Sequence, residues 1–153
     1  MHIGQPYLIA ILEPFLNDLA TEERENPNFA NAFELDPQKL KDPELAEQNL
    51  PNLLKWTSLL LKGIYSSWGI IPAPLLHICS YLRRYVTSVF PDGVPNVLSG
   101  FFFLRFICPV LATPETLPGL RSHPPSPPMR RLLILVAKII QNIASVVEFG
   151  EKE

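Results

Sequence analysis

With 153 residues, 47% of them hydrophobic and 18% charged, the chain has the size and apolar content of one domain with a core, which excludes bulk disorder. The net charge of −2 divides into an acidic half, with 5 Lys/Arg against 10 Asp/Glu over residues 1–76, and a mildly basic half, with 8 against 5 over residues 77–153. A surplus that small and unclustered excludes a nucleic-acid footprint and fits an acidic protein surface better. Cys79 and Cys108 lie in apolar surroundings without CxxC spacing, so both are predicted as core thiols of a reducing compartment. The N-terminus shows no basic segment followed by an apolar run and a cleavage site, so no signal peptide is expected. The longest apolar run, 97–112, is broken by Arg105 and Pro109 and falls short of the roughly 20 residues of a membrane span.

In chain order, Tyr7, Ile11, Phe15 and Leu19 recur on one helical face and predict a helix over 1–20, with a kink or restart at Pro14. Residues 21–48 are polar, hold three prolines and show no sustained period, predicting a surface connection with at most one short helical turn, ordered by FELDP. A stripe of Leu50, Leu53, Leu54, Thr57, Leu60, Leu61, Ile64 and Trp68 predicts a helix over 49–68 capped by Asn49. Leu75, Ile78, Cys79, Leu82, Val86 and Val89 predict another over 72–90, with Arg83, Arg84 and Tyr85 outward.

A fourth, apolar helix is predicted over 96–108, stopped by Pro109. It carries Arg105 inside an otherwise apolar stretch, SGFFFLRFICP, and a guanidinium there calls for an ion pair or for loop carbonyls. Phe101, Phe102 and Phe103 read as core rather than as a ligand platform. Residues 109–128 form a proline-rich loop, extended where prolines are adjacent. Leu132, Leu135, Val136, Ile139, Ile140, Ile143, Val146 and Val147 predict a last helix over 129–149, with Lys138, Gln141 and Ser145 as one exposed row. No segment alternates as a strand does, so the class is all-α.

The sequence shows no nucleophile elbow, phosphate loop, zinc-protease helix or calcium loop, and His2, His77 and His123 have no ligand-spaced partners. No catalysis of its own, metal or cofactor is therefore expected. Pro125, Pro128 and Arg130 fit the PxxPxR form that SH3 grooves accept, set against an ordinary helix-to-helix loop.

FFFLRFICPVLATP followed by RRLLILVAKIIQNIASVVEFGEKE resembles the signature region of Ras GTPase-activating domains, with its FLR-x-x-x-P helix and its later L-x-x-x-A-K-x-x-Q-N helix. FELDPQKL, AEQNLPNLL and ILEP resemble the preceding helices in order and spacing, so the likeness covers nearly the whole chain. It is similar to domains of the neurofibromin type and of the SH2-containing Ras activator type. The resemblance implies an all-α multi-helix bundle, incomplete at both ends, that acts as a regulator of an enzyme rather than as an enzyme. The GTP and magnesium belong to its partner, a Ras-family small GTPase. In that family an arginine finger stabilises transition-state charge.

By resemblance, Arg105 is the arginine that steadies the finger loop through its carbonyls. Leu104, Lys138, Gln141, Asn142 and Ser145 fall at partner-facing positions, with Ser145 standing where the family usually has asparagine. No residue here matches the finger itself, Arg24 lacking the context, so the chain alone is expected to activate weakly or not at all. The resemblance also implies a cytoplasmic location, with recruitment to membranes only through the GTPase or other domains. Two other readings are a scaffold module that grips a GTPase without accelerating it, and a helical adaptor that recruits an SH3 domain.

Overall fold

Helix α1 (Gln5–Glu25) buries Tyr7, Leu8, Ile11, Leu12, Phe15, Leu16 and Leu19 along one unbroken face. These belong to a computed structural model that describes residues 3–121 and 123–145. Pro14 neither breaks the helix nor starts a new one, contrary to expectation. It sits on the exposed side, as does Ala10, whose carbonyl loses its donor. Water can serve that carbonyl while the buried face continues.

The connection after α1 is largely irregular, as expected, with one short turn at Phe29–Asn31. Phe29, Ala32, Phe33 and Leu40 are nevertheless buried, and the rings of Phe29 and Phe33 meet edge to face at 5.0 Å. Helix α2 (Leu45–Ser66) then begins four residues ahead of the predicted cap. Asn49 does not cap it. Its side-chain amide is buried and donates to Asn31 O at 2.7 Å and Glu34 O at 2.8 Å, so it ties the connection to the helix. Leu53, Trp56, Thr57, Leu60 and Ile64 form the buried face. Leu50, Leu54 and Trp68, predicted in the stripe, are exposed, and Trp56, left out of it, is core.

Helix α3 (Ala73–Val89) has the predicted span, and Arg83, Arg84 and Tyr85 point outward as expected. Leu75 is its one buried residue, however; Ile78 and Val89 are exposed, and Cys79 is half-buried rather than core. After the turn Pro91–Gly93 the chain runs as one helical rod of three parts: α4 (Val94–Ser99), a π-helical segment (Gly100–Ile107) and α5 (Cys108–Ala112). Pro109 therefore does not end the helix. The Cys108 N–H bonds to Phe103 O, five residues back, and at Pro109, which has no N–H for the next such bond, the rod returns to α register. The helical run Pro91–Ala112, the turn included, is long and apolar enough by length and composition to cross a membrane, a test that the core helix of a soluble protein also passes. It packs here against α3 and α6, with Ile107, Cys108 and Leu111 buried.

The loop to the last helix turns at Gly119, whose φ of 85° suits a residue without Cβ. Helix α6 (Pro127–Ala144) starts with Ser126 accepting from Met129 N at 3.2 Å. Its two prolines take first-turn positions, where no donor is needed. Pro127, Pro128, Met129 and Arg130 are thus helical, and Arg130 is engaged by Glu115 at 2.6 Å and by Ala112 O at 3.2 Å. This corrects the SH3 reading, since such grooves need an extended segment with a free basic residue. Residues 146–149 of the predicted last helix, with Val146 and Val147, lie outside the described residues. Leu132, Leu133, Val136 and Ile140 are at most 1% exposed and fill the space between α1, α2 and the rod. Among the described residues there is no strand.

Candidate functional site

The site positions lie on two adjacent helices, the π-containing rod and α6, which run antiparallel. Two bonds set their register. Ser99 Oγ donates to Ala144 O at 2.5 Å near one end, and Cys108 Sγ faces Ala137 O at 3.8 Å near the other. Nine residue steps of the rod therefore run beside seven of α6. A wider helix with more residues per turn accommodates that mismatch, which gives the π segment a structural reason.

Leu104 and Arg105 lie between these two ties, abreast of the stretch that carries Lys138, Gln141 and Asn142. Leu104 is half-buried. Arg105 is exposed, and among the described residues no hydrogen bond or ion pair engages it. The charge that the sequence places inside an apolar stretch is thus not buried at all; the π segment turns it to solvent and keeps Ile107 and Cys108 in the core. On α6, Ala137, Ile140 and Ala144 are buried, while Lys138, Gln141 and Ser145 make the exposed row that the spacing predicts. Asn142 is half-buried beside it. Ser145 follows the last helical residue, and its N–H bonds back to Gln141 O at 2.9 Å.

What holds α6 in place was not legible beforehand. Arg131 grips Glu34 with two parallel bonds, Nε to Oε2 at 2.8 Å and Nη2 to Oε1 at 2.7 Å. Glu34 Oε1 also accepts the N–H groups of Leu35 and Asp36. The Arg131 bonds hold the Glu34 carboxyl down to about 2, against the opposing effect of its burial, and Glu34 in turn raises the arginine. Glu115 is likewise held below its ordinary value, chiefly by its bond from Arg130. Ser126 Oγ bonds Glu23 of α1, so three carboxylates from three places clamp the start of α6. Burial pushes the Cys108 thiol up to about 11, which leaves it an inert packing group.

At the other end, Tyr7 of α1 bonds Ser67 at 3.0 Å. Ser67 gives its own proton to Ile64 O at 2.6 Å, so the tyrosine is the donor. Its ring stacks on Phe106 with centroids 6.2 Å apart, which seats the rod on α1. Gly4 lies beside that stack, where a Cβ would come within 2.4 Å of the Phe106 ring and the ring would have to shift.

A helical rod carrying FLR and a closing proline, laid against a helix carrying the K-x-x-Q-N row, is the arrangement the family resemblance describes. Residues 43–145 match the family model of GTPase-activator proteins for Ras-like GTPases, and the chain belongs to this family. It is 34% identical to the probable Ras GTPase-activating-like protein ngap of Dictyostelium discoideum over 97% of this chain and 16% of that protein. It is 42% identical to Ras GTPase-activating protein 1 of Homo sapiens over 78% of this chain and 12% of that protein. To the inhibitory regulator protein IRA2 of Saccharomyces cerevisiae it is 34% identical over 93% of this chain and 4% of that protein. The chain thus spans less than a fifth of the length of these relatives.

Proposed function

We propose that the chain forms part of a domain that binds a Ras-type small GTPase along the α6 face and the π segment, and that the complete domain stimulates the hydrolysis of GTP held by that partner. The observation that carries this reading is Arg105, exposed and unengaged on a π segment tied rigidly to a helix whose exposed row is Lys138, Gln141 and Ser145. Lys138 supplies a cation and Gln141 an amide toward a partner surface, Leu104 an apolar contact and Asn142 a further amide. Five guanidinium N–H donors on Arg105, without a partner among the described residues, suit a loop whose carbonyls need fixing.

Serine at position 145 is shorter than asparagine and has no amide, so one partner contact is weakened rather than removed. Arg24, exposed on α1 and donating to Thr21 at 3.3 Å, stands in an acidic TEEREN segment without the motif context of a finger. Residues 1–153 alone therefore bind and position but lack the cation that offsets charge developing on the transferring phosphate. Acceleration by a finger is worth about 10³ to 10⁵ in rate, so its lack is readily measured.

Single-turnover GTP hydrolysis by a Ras-type GTPase, with and without residues 1–153, tests this. Expected is saturable binding, weakened by Lys138→Ala with Gln141→Ala, together with a rate near the intrinsic one. Acceleration close to that of an intact activating domain would refute the proposed division of labour, and absence of binding would refute the site.

A further inference from the structure

The two polar ties between the rod and α6 are unequal. The Cys108 thiol is a weak donor 3.8 Å from Ala137 O, whereas the Ser99 hydroxyl is an ordinary donor 2.5 Å from Ala144 O. The Ser99 end is therefore the firmer one. Carbonyls in the last turn of a helix need donors from outside it, and Ala144 is the last residue of α6. Two members of the exposed row adjoin it, since Ser145 follows directly and its N–H reaches back to Gln141 O at 2.9 Å. On the other side, Ser99 immediately precedes the π segment, where the i→i+5 pattern makes Leu104 the residue one turn further on, with Arg105 after it. One hydroxyl thus joins the backbone under Gln141 and Ser145 to the backbone that carries Leu104 and Arg105.

The same hydroxyl has two acceptors within the rod, Pro95 O at 2.7 Å and Asn96 O at 3.3 Å. Asn96 O already takes the Gly100 N–H. A serine has one proton to give, so a bond back to Pro95 O is made at the expense of the bond to α6.

We propose that Ser99 is a positioning residue for the small-GTPase partner: by bonding Ala144 O it fixes the spacing between Leu104 and Arg105 on one helix and Gln141 and Ser145 on the other, and it acts on affinity through them. The inference rests on the reading of that face as partner-binding. Contacts carried on two helices act together at full strength only when their separation is set before the partner arrives; otherwise part of the binding free energy goes into setting it.

Ser99→Ala removes the hydroxyl and leaves the buried packing of Ile107, Cys108 and Leu111 in place. Binding of the intact 153-residue chain to a Ras-type GTPase loaded with a non-hydrolysable GTP analogue should weaken about five- to tenfold, and Ser99→Thr, which keeps a hydroxyl, should restore most of it. A mutant cycle separates positioning from a general loss of stability. With Gln141→Ala and Ser145→Ala already present, Ser99→Ala should weaken binding by less than about twofold, because the side chains it sets are gone. In the free chain, amide exchange at Ser145 should quicken in Ser99→Ala and not in Ser99→Thr. Equal affinity of Ser99→Ala and a wild-type chain that binds would overturn the inference alone. So would an undiminished loss in the Gln141→Ala, Ser145→Ala background, a Ser99→Thr variant as weak as Ser99→Ala, or unchanged exchange at Ser145. Failure of the wild-type chain to bind would overturn the inference together with the reading of the face.

Discussion

Glu34 is densely bonded, its carboxylate taking two donors from Arg131 and two from the backbone while only 9% exposed. Its folded-state value of about 2 lies below the ordinary 4.5, so the unfolded chain binds the proton first as pH falls. The stabilisation is fully present above the ordinary value and is lost as pH drops from about 4.5 toward about 2. Glu34→Gln should lower stability at neutral pH by about 1–3 kcal/mol, between the values for exposed and buried pairs, and flatten urea midpoints across that acid window. Glu115, depressed by Arg130, would leave a smaller residual slope. Arg105 gives the contrasting case. With no partner among the described residues to lose, Arg105→Ala should change the unfolding free energy of this chain, measured in urea, by less than about 0.5 kcal/mol, yet sharply reduce stimulation in a complete activating domain. A large loss of stability would mean that Arg105 braces this chain itself.

At the scale of elements, the sequence showed the helices well and their joints poorly. Apolar spacing places α1, α2, α3 and α6 because a buried stripe repeats at the helical period whatever it packs on. Proline misled three times for one reason: its cost depends on whether the deprived carbonyl reaches water or another register. At Pro14 it faces solvent, at Pro109 the π turn absorbs it, and at Pro127 and Pro128 no donor is required. Asn49 misled because a capping residue and a bridging residue are the same letter. Its role depends on Asn31 and Glu34, neither of which any local pattern links to it. Asn49→Ala should leave the Asn31 and Glu34 carbonyls, the second of them buried, without this donor and cost about 1–3 kcal/mol by chemical denaturation, whereas a mere helix cap costs about 1. The release would appear first as faster amide exchange across residues 29–36.

Over the whole molecule, the candidate site was legible as residues but not as geometry. Leu104, Arg105, Lys138, Gln141, Asn142 and Ser145 come from motif likeness, while the ties at Ser99 and Cys108 that set the two helices side by side involve contacts 45 and 29 residues apart, which no local spacing reveals. The stripe of α3 showed a helix, and Cys79 within it was read as core, because periodicity reports which face is apolar, not whether anything covers it. Tyr65, Trp68, Tyr81, Tyr85, Val89 and Phe90 are each at least 60% exposed, in contrast to the near-complete burial of Leu12, Leu53, Leu132 and Leu133. One molecule thus joins a closed core over α1, α2 and α6 to an uncovered apolar flank on α3. The flank contributes little to folding, since its surface stays wet, and it offers a place for dye or for other chains. The isolated chain should therefore bind a hydrophobic reporter dye while still native. Loss of the α6 core should be costly by comparison: Leu132→Ala, at a fully buried position, should cost about 2–5 kcal/mol, and Tyr81→Ala on the flank less than about 0.5. A monomer that melts sharply without binding dye, or a Tyr81→Ala loss as large as that of Leu132→Ala, would show that the flank is packed in solution.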